Sequence, residues 1–190
     1  MLDKVLLQIA KSAILNKLDE NYTFDENSIL KEYPYLKKDG AVFVTLKYNK
    51  ELRGCIGSII AHRTLFDDLA YNGVSAGFSD PRFNALSKEE LSSLNIEVSL
   101  LSEPKILEYV DYEDLLQKIR PNIDGLILKH SRYSGTFLPQ VWEQLSTSEL
   151  FLEHLSLKAG ATKSIYDEHP TIYTYQVEHI QEDYDEILCL

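Results

Sequence analysis

The chain of 190 residues is poor in cysteine, methionine and tryptophan, and it contains no long apolar run. Its two cysteines, Cys55 and Cys189, lie far apart, and such a pair in a chain without an export signal is not typical of a disulfide framework. We therefore expect two free thiols in a reducing compartment.

Membrane insertion and export are not expected. A membrane-spanning helix needs about 20 consecutive apolar residues, and no stretch approaches that length. Charged residues at Asp3, Lys4, Lys11 and Lys17 interrupt the N-terminal segment, which a signal-peptide core would not tolerate. The sequence predicts a cytoplasmic protein.

Positive charge is also scarce. The chain has 19 Lys+Arg against 30 Asp+Glu, which gives a net charge of -11. A field of this sign repels the phosphate backbone, so nucleic-acid regulation is disfavoured.

No metal site is predicted, because the histidines do not recur at metal-ligand spacings. The five are scattered at His62, His130, His154, His169 and His179. The sequence requires no cofactor and identifies none.

A hydrophobic fraction of 44% in a chain of this length is enough to form the core of one domain. We expect this domain over residues 1–180 and an acidic tail over 181–190. The sequence predicts helices at 2–18, 64–78, 111–119 and 148–159, with Thr64 as the cap of the second, and the capping-box spacing of Ser87 and Glu90 predicts a further short helix. It predicts strands at 41–47, 52–60, 94–100, 125–130, 135–138 and 171–177, of which 94–100 alternates cleanly between apolar and polar residues. Adjacent strands that form hairpins between helices favour an α+β fold.

The segment Leu52-Arg53-Gly54-Cys55-Ile56-Gly57 is the candidate for chemistry. In a regular strand, Arg53, Cys55 and Gly57 share one face. A fixed positive charge beside a thiol favours the thiolate, which is the reactive form of cysteine. Gly54 and Gly57 would let a ligand or another backbone approach the sulfur. The alternative is that Cys55 is a small buried side chain and that the glycines mark a bulge.

This hexapeptide resembles the signature of the AMMECR family, the system protein A of the AmmeMemoRadiSam group. Further segments resemble the family in the same order, namely Asp80–Phe83, Leu94–Ser99, Ile123–Leu126, Gly135–Trp142 and Lys158–Gly160. The resemblance runs from the first predicted helix to the last predicted strand.

The resemblance implies a larger antiparallel sheet flanked by helices plus a smaller lobe, within the single domain of residues 1–180. It also implies partners, because the family is associated with Memo-like proteins and radical S-adenosylmethionine enzymes. It implies no particular reaction.

Three further side chains are candidates for proton transfer with Cys55. Glu97 lies on the polar face of its predicted strand, and His62 and His154 are the histidines best suited to activate a thiol. The alternatives are that Glu97 and His62 are solvated and that His154 has a packing role.

Four other residues are candidates for ligand binding. Asp80 and Arg82 flank a proline turn and would hold a polar or anionic ligand, or would only stabilise that turn. Gln140 offers a donor and an acceptor, and Trp142 offers an apolar surface, although a core position for the indole is the alternative.

These candidates support two hypotheses from different classes. In the first, the protein is an enzyme or enzyme component that acts on a small organic substrate through Cys55, with Arg53 stabilising negative charge. In the second, it is a non-catalytic binding or adaptor protein that docks to Memo-like or radical S-adenosylmethionine partners. The sequence identifies neither the substrate nor the oligomeric state.

Overall fold

A computed structural model describes residues 2–190 and divides the chain into two compact units. Unit one comprises the chain as far as Leu101 together with Glu178–Leu190, and unit two comprises Ser102–Val177. Each unit contains one four-stranded sheet and its own helices. The expected α+β class is confirmed.

The sheet of unit one is built on β1 (Ala41–Tyr48), which pairs antiparallel with β2 (Glu51–Gly57) and β3 (Leu94–Leu101). The strand β8 (Val177–Asp183) lies beside β3, so the order is β2-β1-β3-β8. The turn between β1 and β2 has positive φ angles at Asn49 (50°) and Lys50 (70°). Two such residues in succession are typical of the tight turn that joins antiparallel strands.

One face of this sheet packs on α1 (Val5–Leu18) and α3 (Leu65–Phe78). Because side chains alternate along a strand, Val42, Val44 and Leu46 all point to this face and are fully buried. Thr64 caps α3 by accepting a hydrogen bond from the Asp67 N–H, as the predicted helix start requires.

A network around a buried carboxylate joins β1 to α3. Asp68 accepts from the Val42 N–H at 2.9 Å and from the Ser58 hydroxyl at 2.7 Å. Asn72, one turn further along α3, donates to the Val42 carbonyl at 3.1 Å. These bonds fix where β1 begins relative to the helix.

The segment that the sequence predicts as an acidic tail contributes to the core of unit one. Tyr184 and Ile187 are buried there. The buried Lys11 ammonium donates to their two carbonyl oxygens, at 2.8 and 2.7 Å. This segment is therefore acidic in composition and is also held to the core by its apolar side chains.

Unit two has the strand order β4-β7-β5-β6. Its elements are β4 (Lys105–Ile106), α4 (Tyr112–Lys118), β5 (Gly125–His130), β6 (Tyr133–Phe137), α5 (Ser148–Lys158) and β7 (Thr171–Tyr175). Trp142 is buried in the core of this unit, where it stacks on Phe151 with ring centroids 3.8 Å apart. Its indole N–H donates to the Asp124 carbonyl at 2.8 Å.

The sequence did not predict α2 (Glu26–Glu32) or β8. The helix α2 buries only Ile29, so it has no apolar stripe, and β8 contains only exposed and half-buried positions. The remaining helical segments are short 3₁₀ turns at Pro34–Lys37, Lys88–Ser93, Pro139–Glu143, Lys163–Glu168 and Tyr184–Glu186.

No helix within residues 2–190 has the length and apolar character needed to cross a membrane. In the same part of the chain, no three His, Cys, Asp or Glu side chains are grouped as metal ligands would be.

Candidate functional site

The hexapeptide forms most of β2, and it contains a bulge. Leu46 opposes Gly54 and Lys47 opposes Leu52, which leaves Arg53 without a partner in β1. The expectation of regular alternation from Arg53 to Cys55 is therefore wrong, because the extra residue interrupts the pleat. Leu52 shares the outer face with Lys47, and Gly54 lies on the buried face with Leu46.

The bulge directs Arg53 to Glu90. Its Nε and Nη2 donate to the two carboxylate oxygens at 2.6 and 3.1 Å, in a bidentate ion pair. Glu90 is itself fixed by a capping box, since it accepts from the Ser87 N–H at 2.9 Å. The hydrogen bonds from Arg53 lower the pKa of Glu90 and outweigh its partial burial.

One nitrogen of the Arg53 guanidinium group takes no part in this ion pair. Its Nη1 is buried and has no hydrogen-bond partner among residues 2–190. A buried donor without an acceptor costs about 1–3 kcal/mol, so an acceptor brought to this nitrogen would stabilise the protein.

The glycines of the hexapeptide are explained by packing within unit one. A Cβ at Gly54 would lie 2.0 Å from the Ala76 carbonyl oxygen of α3, and one at Gly57 would lie 2.2 Å from the Phe43 ring. At both glycines, the space that a side chain would need is already filled by other atoms of the protein.

The backbone of Cys55 is held by a carboxylate instead of by another strand. Because β2 pairs only with β1, its other edge is open, and there the Cys55 N–H donates to Asp80 Oδ2 at 2.9 Å. Asp80 is buried and also accepts from Arg82, through its N–H at 3.1 Å, Nε at 2.9 Å and Nη2 at 2.7 Å. One carboxylate thus clamps both the strand edge and the arginine.

This clamp brings an arginine other than the expected one into electrostatic range of the thiol. The hydrogen bonds from Arg82 hold the pKa of the Asp80 carboxyl well below its usual range, despite its burial. The pKa of Arg82 is raised, chiefly by its hydrogen bond to Asp80 and also by the electrostatic influence of Cys55. The sequence named Asp80 and Arg82 as candidates either for ligand binding or for stabilising the proline turn, and the hydrogen bonds between them agree with the second role.

Cys55 is half-buried, and its sulfur accepts a hydrogen bond from the Thr45 hydroxyl at 3.3 Å. Thr45 opposes Cys55 on one side and Glu97 on the other, so the three residues form a row across β2, β1 and β3. Glu97 is engaged by Lys47, whose ammonium lies 2.8 Å from its carboxylate. The structure therefore places Glu97 one strand away from Cys55, with Thr45 between them.

Among residues 2–190, neither histidine candidate is hydrogen-bonded to the Cys55 sulfur. His62 is exposed, with Nδ1 at 3.0 Å from the Ile60 carbonyl oxygen and Nε2 accepting from the Arg63 guanidinium. His154 lies on the exposed face of α5 in unit two. Gln140, also in unit two, is exposed. Trp142 lies in the core of that unit, which is the alternative role predicted for its indole.

An open cavity of about 500 Å³ lies beside the bulge in unit one. Its lining consists of Arg53, Pro81, Arg82, Phe83, Asn84, Ala85 and Glu90. The Phe83 ring centroid is 5.9 Å from Arg53 Cζ and 5.4 Å from Arg82 Cζ, within the range of cation–π attraction. Sequence reasoning missed Thr45, Phe83 and Glu90, although Glu90 was visible as a capping-box residue.

Comparison with known proteins gives a family match over most of the chain. The family model described as AMMECR1 matches residues 7–180. Protein MJ0810 of Methanocaldococcus jannaschii is 34% identical over 168 residues, which cover 86% of this chain and 84% of that protein. Protein LS215_2104 of Saccharolobus islandicus is 41% identical over 169 residues, which cover 83% of this chain and 70% of that protein.

A solved structure is similar to both the fold and the sequence. The uncharacterized protein PH0010 from Pyrococcus horikoshii superposes with a TM-score of 0.78 at 30% sequence identity. The superposition covers 95% of this chain and 91% of that chain.

Proposed function

We propose that this protein, which belongs to the AMMECR1 family, is a thiol enzyme or enzyme component. The names of its relatives state no activity, so the proposal rests on the geometry of this chain. Cys55 is the reacting group, and the substrate is a small organic molecule with an electrophilic carbon. In this proposal Arg82, held by Asp80, takes the electrostatic role that the sequence assigns to Arg53.

The hydrogen bond from the Thr45 hydroxyl to the Cys55 sulfur is the observation that supports this proposal. A donor aimed at the sulfur stabilises the negative charge that develops there as the thiol loses its proton, and hydrogen bonds to charged groups are the stronger ones. In the proposed step, the sulfur forms a bond to the electrophilic carbon, the bond from that carbon to its leaving group breaks and the leaving group departs with the electron pair, and the thiol proton passes to water. Within residues 2–190 no histidine or carboxylate side chain is hydrogen-bonded to this sulfur, which is why water is the proton acceptor.

The proposal is tested by alkylation of the folded protein with iodoacetamide at neutral pH, followed by mass spectrometry. Cys189 is exposed and serves as the reference thiol in the same sample. We expect Cys55 to react faster than Cys189 even though it is half-buried. Thr45→Val removes the hydroxyl but retains the side-chain shape, and loss of about 1 kcal/mol of stabilisation slows alkylation of Cys55 about fivefold.

Two controls accompany this measurement. Thr45→Ser restores a hydroxyl and should restore the rate, while the rate at Cys189 should be the same in all variants. A Cys55 that reacts only after the protein unfolds, or that reacts equally fast in Thr45→Val, would contradict the proposal.

The second candidate function is a non-catalytic binding or adaptor protein for Memo-like or radical S-adenosylmethionine partners. It draws support from apolar side chains exposed in unit two, where Ile106 lies on the short edge strand β4 and Val110 follows it. Exposed apolar groups at a sheet edge are typical of contact surfaces. An inert Cys55 would favour this candidate.

A further inference from the structure

At the cavity beside the bulge, the charged side chains offer more hydrogen-bond donors than acceptors. The two oxygens of Glu90 are occupied by Arg53 and by the Ser87 N–H. Asp80, which does not line the cavity, accepts hydrogen bonds from Arg82 and from the Cys55 N–H. Both nearby carboxylates are thus engaged by hydrogen-bond donors, whereas the buried Arg53 Nη1 lacks an acceptor and the Arg82 side chain is partly exposed.

The two arginines are held in the same manner. Arg53 uses Nε and Nη2 to bind Glu90, and Arg82 uses Nε and Nη2 to bind Asp80. Each therefore retains its Nη1. That of Arg53 has no partner within residues 2–190, and the side chain of Arg82 is 54% exposed.

These clamps do not depend on a ligand. Hydrogen bonds from the arginines lower the pKa of both Glu90 and Asp80, so both carboxylates remain ionised at neutral pH. The guanidinium groups are consequently oriented before any ligand arrives, which reduces the ordering that binding requires.

Phe83 supplies the apolar part of the cavity. Its ring lies within cation–π distance of both guanidinium carbons, at 5.9 and 5.4 Å. The cavity volume of about 500 Å³ is that of a site for a small molecule. A flat ring of the ligand would stack on Phe83 while its anionic group reaches the arginines.

We propose that this cavity binds a small aromatic oxyanion, a carboxylate or a phosphate ester, through Arg53, Arg82 and Phe83. The inference goes beyond the proposed function, because Cys55 does not line the cavity and binding requires no reaction at the sulfur.

The test is an NMR titration of the full chain with benzoate and with phenyl phosphate at constant ionic strength, following the side-chain Nε–H signals of its arginines. We expect saturable shifts at Arg53 and Arg82 with at least one of the two probes. Benzyl alcohol, which has the ring without the charge, should produce no saturation over the same range. No saturable shift with either anion, or an equal response to benzyl alcohol, would overturn the proposal.

Matched variants distinguish the cavity from a general effect of charge. Arg82→Gln should weaken binding at least tenfold. Arg120→Gln should leave it unchanged, since Arg120 in unit two makes the same bidentate pair with Asp124 at 56% side-chain exposure. Equal weakening in both variants would refute the assignment.

Phe83→Leu retains both clamps and should still weaken binding, which covers the case in which Arg82→Gln disturbs the fold. Unaltered affinity in folded Phe83→Leu would remove Phe83 from the site and contradict the proposal as stated. Cys55→Ser should bind the anion normally. Its failure to do so in a folded variant would show that the site is not independent of the thiol, as the proposal requires.

Discussion

Replacing Asp80 by Asn should loosen the edge of β2 at Cys55. The carboxylate accepts four hydrogen bonds, two on each oxygen. An amide in either orientation turns its NH₂ group toward two of these donors. Since hydrogen bonds to charged groups contribute about 1.5–3 kcal/mol each and are not additive, we expect a net loss of about 3 kcal/mol in the free energy of unfolding of unit one.

Two measurements test this expectation. Urea unfolding should show the midpoint lowered by about 1.5 M, for a denaturant slope of about 2 kcal/mol per M. Hydrogen exchange should show the Cys55 amide exchanging at least tenfold faster, because its acceptor in the folded protein is Asp80. Asp124→Asn is the matched control, since it removes an equally buried carboxylate paired with an arginine in unit two and should not alter exchange at Cys55.

The pH dependence provides a further test with a defined sign. The folded-state pKa of Asp80 is depressed, so its contribution is fully present above the unfolded-state pKa of about 3.9 and is lost as the pH falls toward the folded value. The stability difference between the wild type and Asp80→Asn should therefore shrink by about 1 kcal/mol between neutral pH and about pH 3. A difference that is small at neutral pH and constant on acidification, with unaltered exchange at Cys55, would refute the reasoning.

Two other predictions concern packing in unit one. Gly54→Ala should destabilise the protein by about 3 kcal/mol in urea unfolding, because its Cβ would lie 2.0 Å from the Ala76 carbonyl oxygen. Gly77→Ala meets its nearest atom at 3.5 Å and should not be destabilising, so an equal loss in both variants would contradict the steric explanation. Lys11→Met removes the donor to two carbonyls of the C-terminal segment and should cost about 1–3 kcal/mol. Faster hydrogen exchange confined to that segment is its measure, and exposed Lys17→Met, expected to be silent, is its control.

Much of the fold follows from local patterns in the sequence. The predicted β5 strand, 125–130, is confirmed with both bounds, and Thr64 caps its helix as predicted. Both predictions rested on signals that act within a few residues, namely a short apolar run bounded by turn residues and a capping hydroxyl. Elements that bury little, such as α2, carry no comparable signal.

The geometry of the candidate site depends on one residue of register. Counted from the two-residue turn at Asn49-Lys50, Thr45 would oppose Gly54, but the bulge at Arg53 shifts the pairing so that Thr45 opposes Cys55. The bulge is favoured by the contact of Gly54 with α3 and by the ion pair of Arg53 with Glu90. Both are tertiary interactions, which explains why the hexapeptide was recognised as important while the partner of its arginine was not.

The division of the chain between the units affects the order in which they are completed during synthesis. Unit two is continuous from Ser102 to Val177, whereas unit one needs residues on both sides of it. A ribosome therefore finishes unit two before it has made β8, Tyr184 and Ile187, which complete the sheet and core of unit one. Although nascent domains generally fold from the N-terminus onward, here the half that carries Cys55 is begun first and completed last.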